Sequence, residues 1–118
     1  MRCLIVDDEP DMCWVLEQIL KNKNVLSAKA TTAVEALLLL ETNSFQIAFI
    51  DAKLPDIEGF ELAKLIRDKE PSMRLVMISG FYTKDTQEVK QALQKGLISG
   101  FISKPFNNKE VQAIVAAP

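Results

Sequence analysis

Short apolar runs alternate along this chain with longer stretches whose apolar residues recur at helical spacing. Runs at 2–6, 25–30, 46–50, 74–78 and 100–103 predict strands. Stretches at about 10–22, 33–43, 58–69, 84–95 and 108–116 predict helices. The first of these carries Met12, Val15, Leu16, Ile19 and Leu20 on one face. Pro10 suits its first turn, where a missing N–H costs nothing. Thr32 followed by Glu35 reads as a capping box, and Asn107 before Glu110 as another helix start. Pro71 and Gly96 mark the ends of the third and fourth helices. The second strand is the weakest, because Ser27 and Lys29 interrupt it.

Strands that are apolar throughout are covered on both faces, as in parallel sheets. Five strand–helix units in 118 residues favour an open α/β sheet over an eight-unit barrel. The expected fold is a flavodoxin-like (βα)5 doubly wound parallel sheet of five strands in the order 2-1-3-4-5. In that order strands 1 and 3 are neighbours, so Asp7 and Asp8 come beside Asp51.

The length allows one domain, read as 1–118. Apolar residues at 48% and charged residues at 25% are enough for one core. A net charge of −2 offers no electrostatic case for nucleic-acid binding by this domain. No run approaches the ~18 apolar residues of a membrane span, and no membrane partner is expected. Cys3 and Cys13 lack ligand spacing and there is no histidine, so nothing suggests zinc. Unpaired cysteines fit a reducing cytoplasm.

Four of the strand candidates stop at polar residues: Asp7-Asp8, Asp51, Ser79 and, one residue past the last, Lys104. Open α/β sheets bind ligands at those carboxyl ends. Three carboxylates close together need protons or a cation. Magnesium prefers oxygen ligands. Asp8, Asp51 and the backbone carbonyl of Lys53 could hold it, with Asp7 acting through water. A carboxylate can attack phosphorus, and phosphoryl transfer asks mainly for positioning and charge neutralisation. Asp51 is therefore the expected acceptor, Lys104 a source of positive charge, and Ser79 a hydrogen-bond donor to a phosphoryl oxygen. Lys104-Pro105 is a candidate cis bond that could aim the lysine inward.

Val6-Asp7-Asp8-Glu9-Pro10, the stretch from Asp51 to Gly59, Ile78-Ser79-Gly80 and Lys104-Pro105-Phe106 together resemble the receiver domain of bacterial two-component response regulators. The likeness covers nearly the whole chain in order. It implies Mg2+-dependent phosphorylation of Asp51 by a sensor histidine kinase or histidine phosphotransfer protein. It also implies control of an output domain or downstream protein in transcription regulation, with self-catalysed phosphoryl chemistry but no turnover of an outside substrate. Ser79 and Phe101 match the family's switch positions, and a phosphorylation-dependent homodimer would be in keeping with it.

Three departures from the family pattern stand out. Lys53 and Phe81 flank the acceptor and predict a phosphoryl lifetime of hours rather than seconds. The 79–101 segment is about three residues longer than is usual, and Leu97-Ile98 within it could face a partner or cap the core. The last helix is short, which suggests a receiver cut from a longer regulator with a C-terminal output domain, a stand-alone receiver being the alternative. Three rivals differ in class. A haloacid-dehalogenase-type phosphatase would need an acid where Lys53 stands. A nucleotide-binding module would need a glycine-rich loop after strand 1. A receiver-like interaction module would work without phosphorylation.

Overall fold

In the computed structural model, which describes residues 1–117, five strands alternate with five helices. They are β1 (Arg2–Val6), α1 (Pro10–Lys21), β2 (Leu26–Ala30), α2 (Ala33–Thr42), β3 (Ile47–Asp51), α3 (Gly59–Lys69), β4 (Arg74–Ser79), α4 (Gln87–Gln94), β5 (Gly100–Ser103) and α5 (Asn108–Ala116). The sheet is parallel in the order β2-β1-β3-β4-β5, as the pattern predicted.

Alternate strand residues enter two separate cores, because side chains on a strand point to opposite faces. Leu4, Val6, Ala48, Ile50, Leu75, Met77 and Phe101 pack with residues of α2, α3 and α4. Cys3, Ile5, Ile47, Phe49, Val76, Ile78 and Ile102 pack with α1 and Val111 of α5. Each fully buried leucine, isoleucine or phenylalanine contributes roughly 1.5–3 kcal/mol. β2 is an edge strand, which explains its mixed sequence: Leu26 and Lys29 are exposed and only Ala30 is buried. A lysine on an edge also discourages pairing with another chain.

The predicted caps form. Thr32 Oγ1 accepts from the Glu35 amide at 3.1 Å, and Asn107 Oδ1 from the Glu110 amide at 2.9 Å. Gly96 takes φ +75° just past the end of α4, a conformation glycine adopts without penalty. α4 begins at Gln87 and not at 84. Local hydroxyl bonds compete with the helix there: Thr86 Oγ1 accepts from the Thr83 amide and Thr83 Oγ1 from the Asp85 amide.

The long segment before β5 is anchored. Arg67 at the end of α3 donates to the carbonyls of Pro71, Met73 and Leu97. Ile98 is buried and Leu97 partly buried against the α2–α4 core. The pair caps the core, so Ile98 offers no surface to a partner.

One close approach positions the carboxyl end of β3. The Gly59 amide donates to Ala52 O at 2.8 Å. A Cβ at Gly59 would lie 2.3 Å from the Asp51 carbonyl oxygen and 2.7 Å from Ala52 Cα. Both obstacles are backbone, so relief requires moving α3 or Asp51 itself. Gly59→Ala is expected to cost about 3 kcal/mol, read as a fall of roughly 10 °C in melting temperature.

Candidate functional site

The strand register brings the polar strand ends together. Val6 pairs with Ile50, Asp51 with Ile78, and Ser79 with Ser103. Asp7, Asp51, Ser79 and Lys104 therefore converge at one edge of the sheet. Asp51 and Lys104 line a cleft of about 240 Å³ together with Asp8, Glu9, Lys53, Gly80 and Phe81, while Asp7 and Ser79 lie buried behind it. Two larger hollows elsewhere among the described residues are each lined by a single carboxylate.

Lys104 is the hub. Its Nζ lies 3.1 Å from Asp7 Oδ2, 3.3 Å from Asp51 Oδ2 and 3.5 Å from Glu9 Oε1. The Lys104-Pro105 bond is cis, in line with the sequence expectation. The Lys104 amide donates to Ser79 O, tying the loop after β5 to the end of β4. Burial acts to lower Lys104, but Asp7 and Asp51 outweigh it and hold the ammonium above its ordinary range.

Asp7 is almost wholly buried. Burial pushes its carboxyl up to about 6, and the Asp51 charge adds to that, against the Glu9 amide bond and Lys104. Asp7, Asp8, Glu9 and Asp51 offer oxygens that all lie within 4.8 Å of one another. One ammonium does not neutralise four carboxylates. A hard, all-oxygen donor set with excess negative charge suits a divalent cation such as magnesium. Glu9 belongs to this cluster, although the sequence pattern placed it only within the run Val6-Asp7-Asp8-Glu9-Pro10 and gave it no ligand role. Its signal was its place in the Asp-Asp-Glu-Pro run.

Of the remaining expected residues, Lys53 and Phe81 line the cleft and Ser79 sits just beneath it, while Phe101 lies away from it beside a separate hollow with Lys84 and Leu93. Asp51 is 5% exposed, and its Oδ1 accepts from the Lys53 amide at 3.2 Å. Ser79 is buried at the strand end, but its Oγ accepts from the Phe81 and Tyr82 amides, each at 2.9 Å. Its hydroxyl oxygen is thus turned to its own loop. Phe101 is buried on the α4 side of β5. Phe81 is 76% exposed, and Lys53 Nζ stands 5.9 Å from its ring centroid.

Two further contacts were not legible from spacing. Tyr82 packs edge-on against Phe60 of α3, with centroids 5.7 Å apart, which docks the loop after Ser79 onto α3. Asp56, in the loop after β3, accepts from the amides of Ala33 and Val34, each at 3.0 Å. Those bonds hold its carboxyl below the ordinary range and fasten the loop after β3 to the start of α2.

A doubly wound parallel sheet with an acidic cluster, a strand-end aspartate and a partly buried lysine at one edge defines the receiver class of signalling domains. The chain belongs to the response regulator receiver domain family, whose model matches residues 3–116. It is 33% identical over 115 residues to the response regulator protein PilR of Pseudomonas aeruginosa, covering 98% of this chain and 25% of that one. It is 36% identical over 119 residues to the regulatory protein VanR of Enterococcus faecium, covering 98% and 48%. Among solved structures, a CheY-like response regulator receiver domain protein from Methanospirillum hungatei superposes with a TM-score of 0.88 at 31% identity, covering 97% of this chain and 89% of that one. The chain spans a quarter to about half of the length of these two curated relatives. Receivers are in general signalling domains and not turnover enzymes, and the family generally binds Mg2+. No helix among the described residues is long and apolar enough to cross a membrane.

Proposed function

We propose that this domain is a phosphorylation-dependent switch whose acceptor is Asp51. The observation that carries the reading is the bridge from Lys104 to both Asp51 and Asp7 beside an all-oxygen cation cluster. The donor is a sensor histidine kinase or a histidine phosphotransfer protein, and the setting is the cytoplasm. Asp8, Asp51 and the Lys53 carbonyl would hold Mg2+, with Asp7 assisting through water. The ion supplies charge that neutralises phosphoryl oxygens.

Asp51 Oδ attacks phosphorus in line, and the bond from phosphorus to the donor breaks. Lys104 pairs with the phosphoryl charge as it arrives. Ser79 gives up the Phe81 and Tyr82 amides and turns its hydroxyl to a phosphoryl oxygen, and Phe101, already buried on the α4 side of β5, repacks there. This shifts an existing equilibrium, by its differential contacts with the two states, and alters the face of α4, β5 and α5. The output is an attached domain or a separate protein in transcription regulation, with a phosphorylation-dependent homodimer as one form of it. A relative named DNA-binding transcriptional regulator NtrC supports that output class. Phe101 lacks a hydroxyl, so its part in the switch is packing alone. Lys53 and Phe81 overhang the acceptor and lengthen the life of the phosphoryl group to hours.

The test is intact mass after incubation with phosphoramidate or acetyl phosphate. One phosphoryl group is expected with Mg2+ and none with EDTA, and fragmentation should place it on Asp51. No adduct in a folded sample would overturn the reading in favour of a contact module that works without phosphorylation.

The metal also sets a pH dependence. Asp7 titrates near 6 in the fold against 3.8 for a free aspartate. The fold therefore holds the proton more tightly than the unfolded chain does. Without metal, stability should fall as pH rises from about 4 to about 6, by on the order of 3 kcal/mol. Mg2+ needs the ionised form. Its stabilising effect should be full above pH 7 and fade as pH falls through 6, measured as the Mg2+-induced shift in melting temperature.

A further inference from the structure

Glu58 is the N-cap of α3, yet its side chain makes no bond to the first turn of that helix. The carboxylate turns instead to Lys53, whose Nζ lies 3.4 Å from Glu58 Oε1. The backbones of the two residues also form an isolated antiparallel bridge. The same ammonium stands 5.9 Å from the Phe81 ring centroid, within cation–π range. Phe81 is largely exposed, so the core does not hold it. Glu58, Lys53 and Phe81 thus form a strap from the loop after β3 to the loop after β4. Lys53 and Phe81 are walls of the cleft that contains Asp51.

We propose that Glu58 is a positioning residue that sets the lifetime of the phosphoryl group on Asp51 by competing with that group for the Lys53 ammonium. The inference rests on the reading of Asp51 as acceptor. In the loss step a water oxygen attacks phosphorus in line, and the bond from phosphorus to Asp51 Oδ breaks. Its electron pair returns to the carboxylate, and inorganic phosphate leaves with the added water's oxygen, its protons shared with solvent. An ammonium on a phosphoryl oxygen crowds the approach of that water. A phosphoryl group carries close to two negative charges, against one on Glu58, so Lys53 divides its time between them. Glu58 pulls it back toward α3 and opens the path. The Lys53–Glu58 pair is about half exposed on each side, and exposed pairs shift equilibria by no more than about fivefold.

The experiment follows phosphoryl decay by intact mass after loading with phosphoramidate and removal of the donor. The proteins are the wild type, Glu58→Gln, Lys53→Ala and the double variant, each checked for an unchanged melting temperature. Glu58→Gln is expected to lengthen the half-life about threefold to fivefold, and to have no effect when Lys53 is already alanine. That dependence on background is what a merely structural role for Glu58 would not produce. An equal effect in both backgrounds would overturn the proposal, because Glu58 would then act through its own charge. An unchanged half-life in Glu58→Gln would overturn it as well. Failure of the wild type itself to load would instead remove the acceptor reading, and this proposal with it.

Discussion

Asp51→Asn is expected to take up no phosphoryl group from phosphoramidate, acetyl phosphate or a phosphorylated donor protein, while remaining folded. The amide is no nucleophile toward phosphorus, and no other carboxylate in the cleft can replace it. Asp7 is buried and committed to the Glu9 amide and Lys104. Asp8 and Glu9 are exposed and follow β1, not β3. The loss should therefore be complete, with no residual slow reaction. Stability should change by less than about 1 kcal/mol at pH 7, because opposing effects are removed together. Lys104 loses one of its ionic partners, but Asp7 loses a like charge that helps to hold its carboxyl up. The side-chain oxygen of the substituted amide can still accept from the Lys53 amide. Asp7 should then titrate lower, and the fall in metal-free stability between about pH 4 and 6 should flatten. Intact mass and a urea titration at two pH values test both halves.

Lys104→Met should slow phosphorylation by about a hundredfold or more, the usual effect of deleting one preorganised charge from a transfer site. Its consequences for the resting protein are equally specific. Lys104 is 14% exposed, and its partners Asp7 and Asp51 are 1% and 7% exposed at the side chain. Removing the cation leaves two buried carboxylates facing each other. Breaking a buried pair costs about 3–5 kcal/mol when the stranded charge persists. Here Asp7 already titrates near 6 and can take a proton instead. The loss at pH 7 should therefore be nearer ~2 kcal/mol. With Lys104 gone, Asp7 rises further above its unfolded value. The deficit should consequently shrink as pH falls toward 5, and saturating Mg2+ should recover it at pH 7. A deficit that neither acid nor Mg2+ reduces would mean that Lys104 stabilises through the packing of its aliphatic stem, and not through charge.

These effects share one cause. The carboxylate cluster is electrostatically unfavourable by itself, with four carboxylates against one ammonium. The surrounding fold tolerates it because Asp51, Asp7 and Ser79 end strands whose other residues are nearly all buried. Local fastenings hold the loops. Gly59 lets α3 approach β3, Asp56 ties the loop after β3 to α2, and Tyr82 docks the loop after β4 on Phe60. Ser79 is held by two amide donors that a phosphoryl group would compete with. The resting loop is thereby defined by bonds that the proposed switch must break.

Periodicity was sufficient for the fold and the strand ends. Continuous apolar strands demand cover on both faces, and five βα units leave few ways to supply it. The order 2-1-3-4-5 then brings Asp7, Asp8 and Asp51 together without knowledge of any side-chain position. The caps at Thr32 and Asn107 were legible for the same reason, since a cap is a relation between residues three apart. What spacing could not reveal were contacts made across long separations or between competing local bonds. Glu9 joined the acidic cluster, Asp56 reached α2, and Arg67 fixed the carbonyl of Leu97. Leu97 and Ile98 read either as a partner-facing patch or as a cap on the core, until the turn at Gly96 and Arg67 set them against the core. The start of α4 shifted because Thr83 and Thr86 satisfy each other's loop before the helix can begin. Strand placement follows from burial, a property of each residue and its near neighbours. The aim of a particular carboxylate, hydroxyl or ammonium follows from which donors and acceptors the finished packing leaves within about 3 Å, and only the tertiary structure decides that.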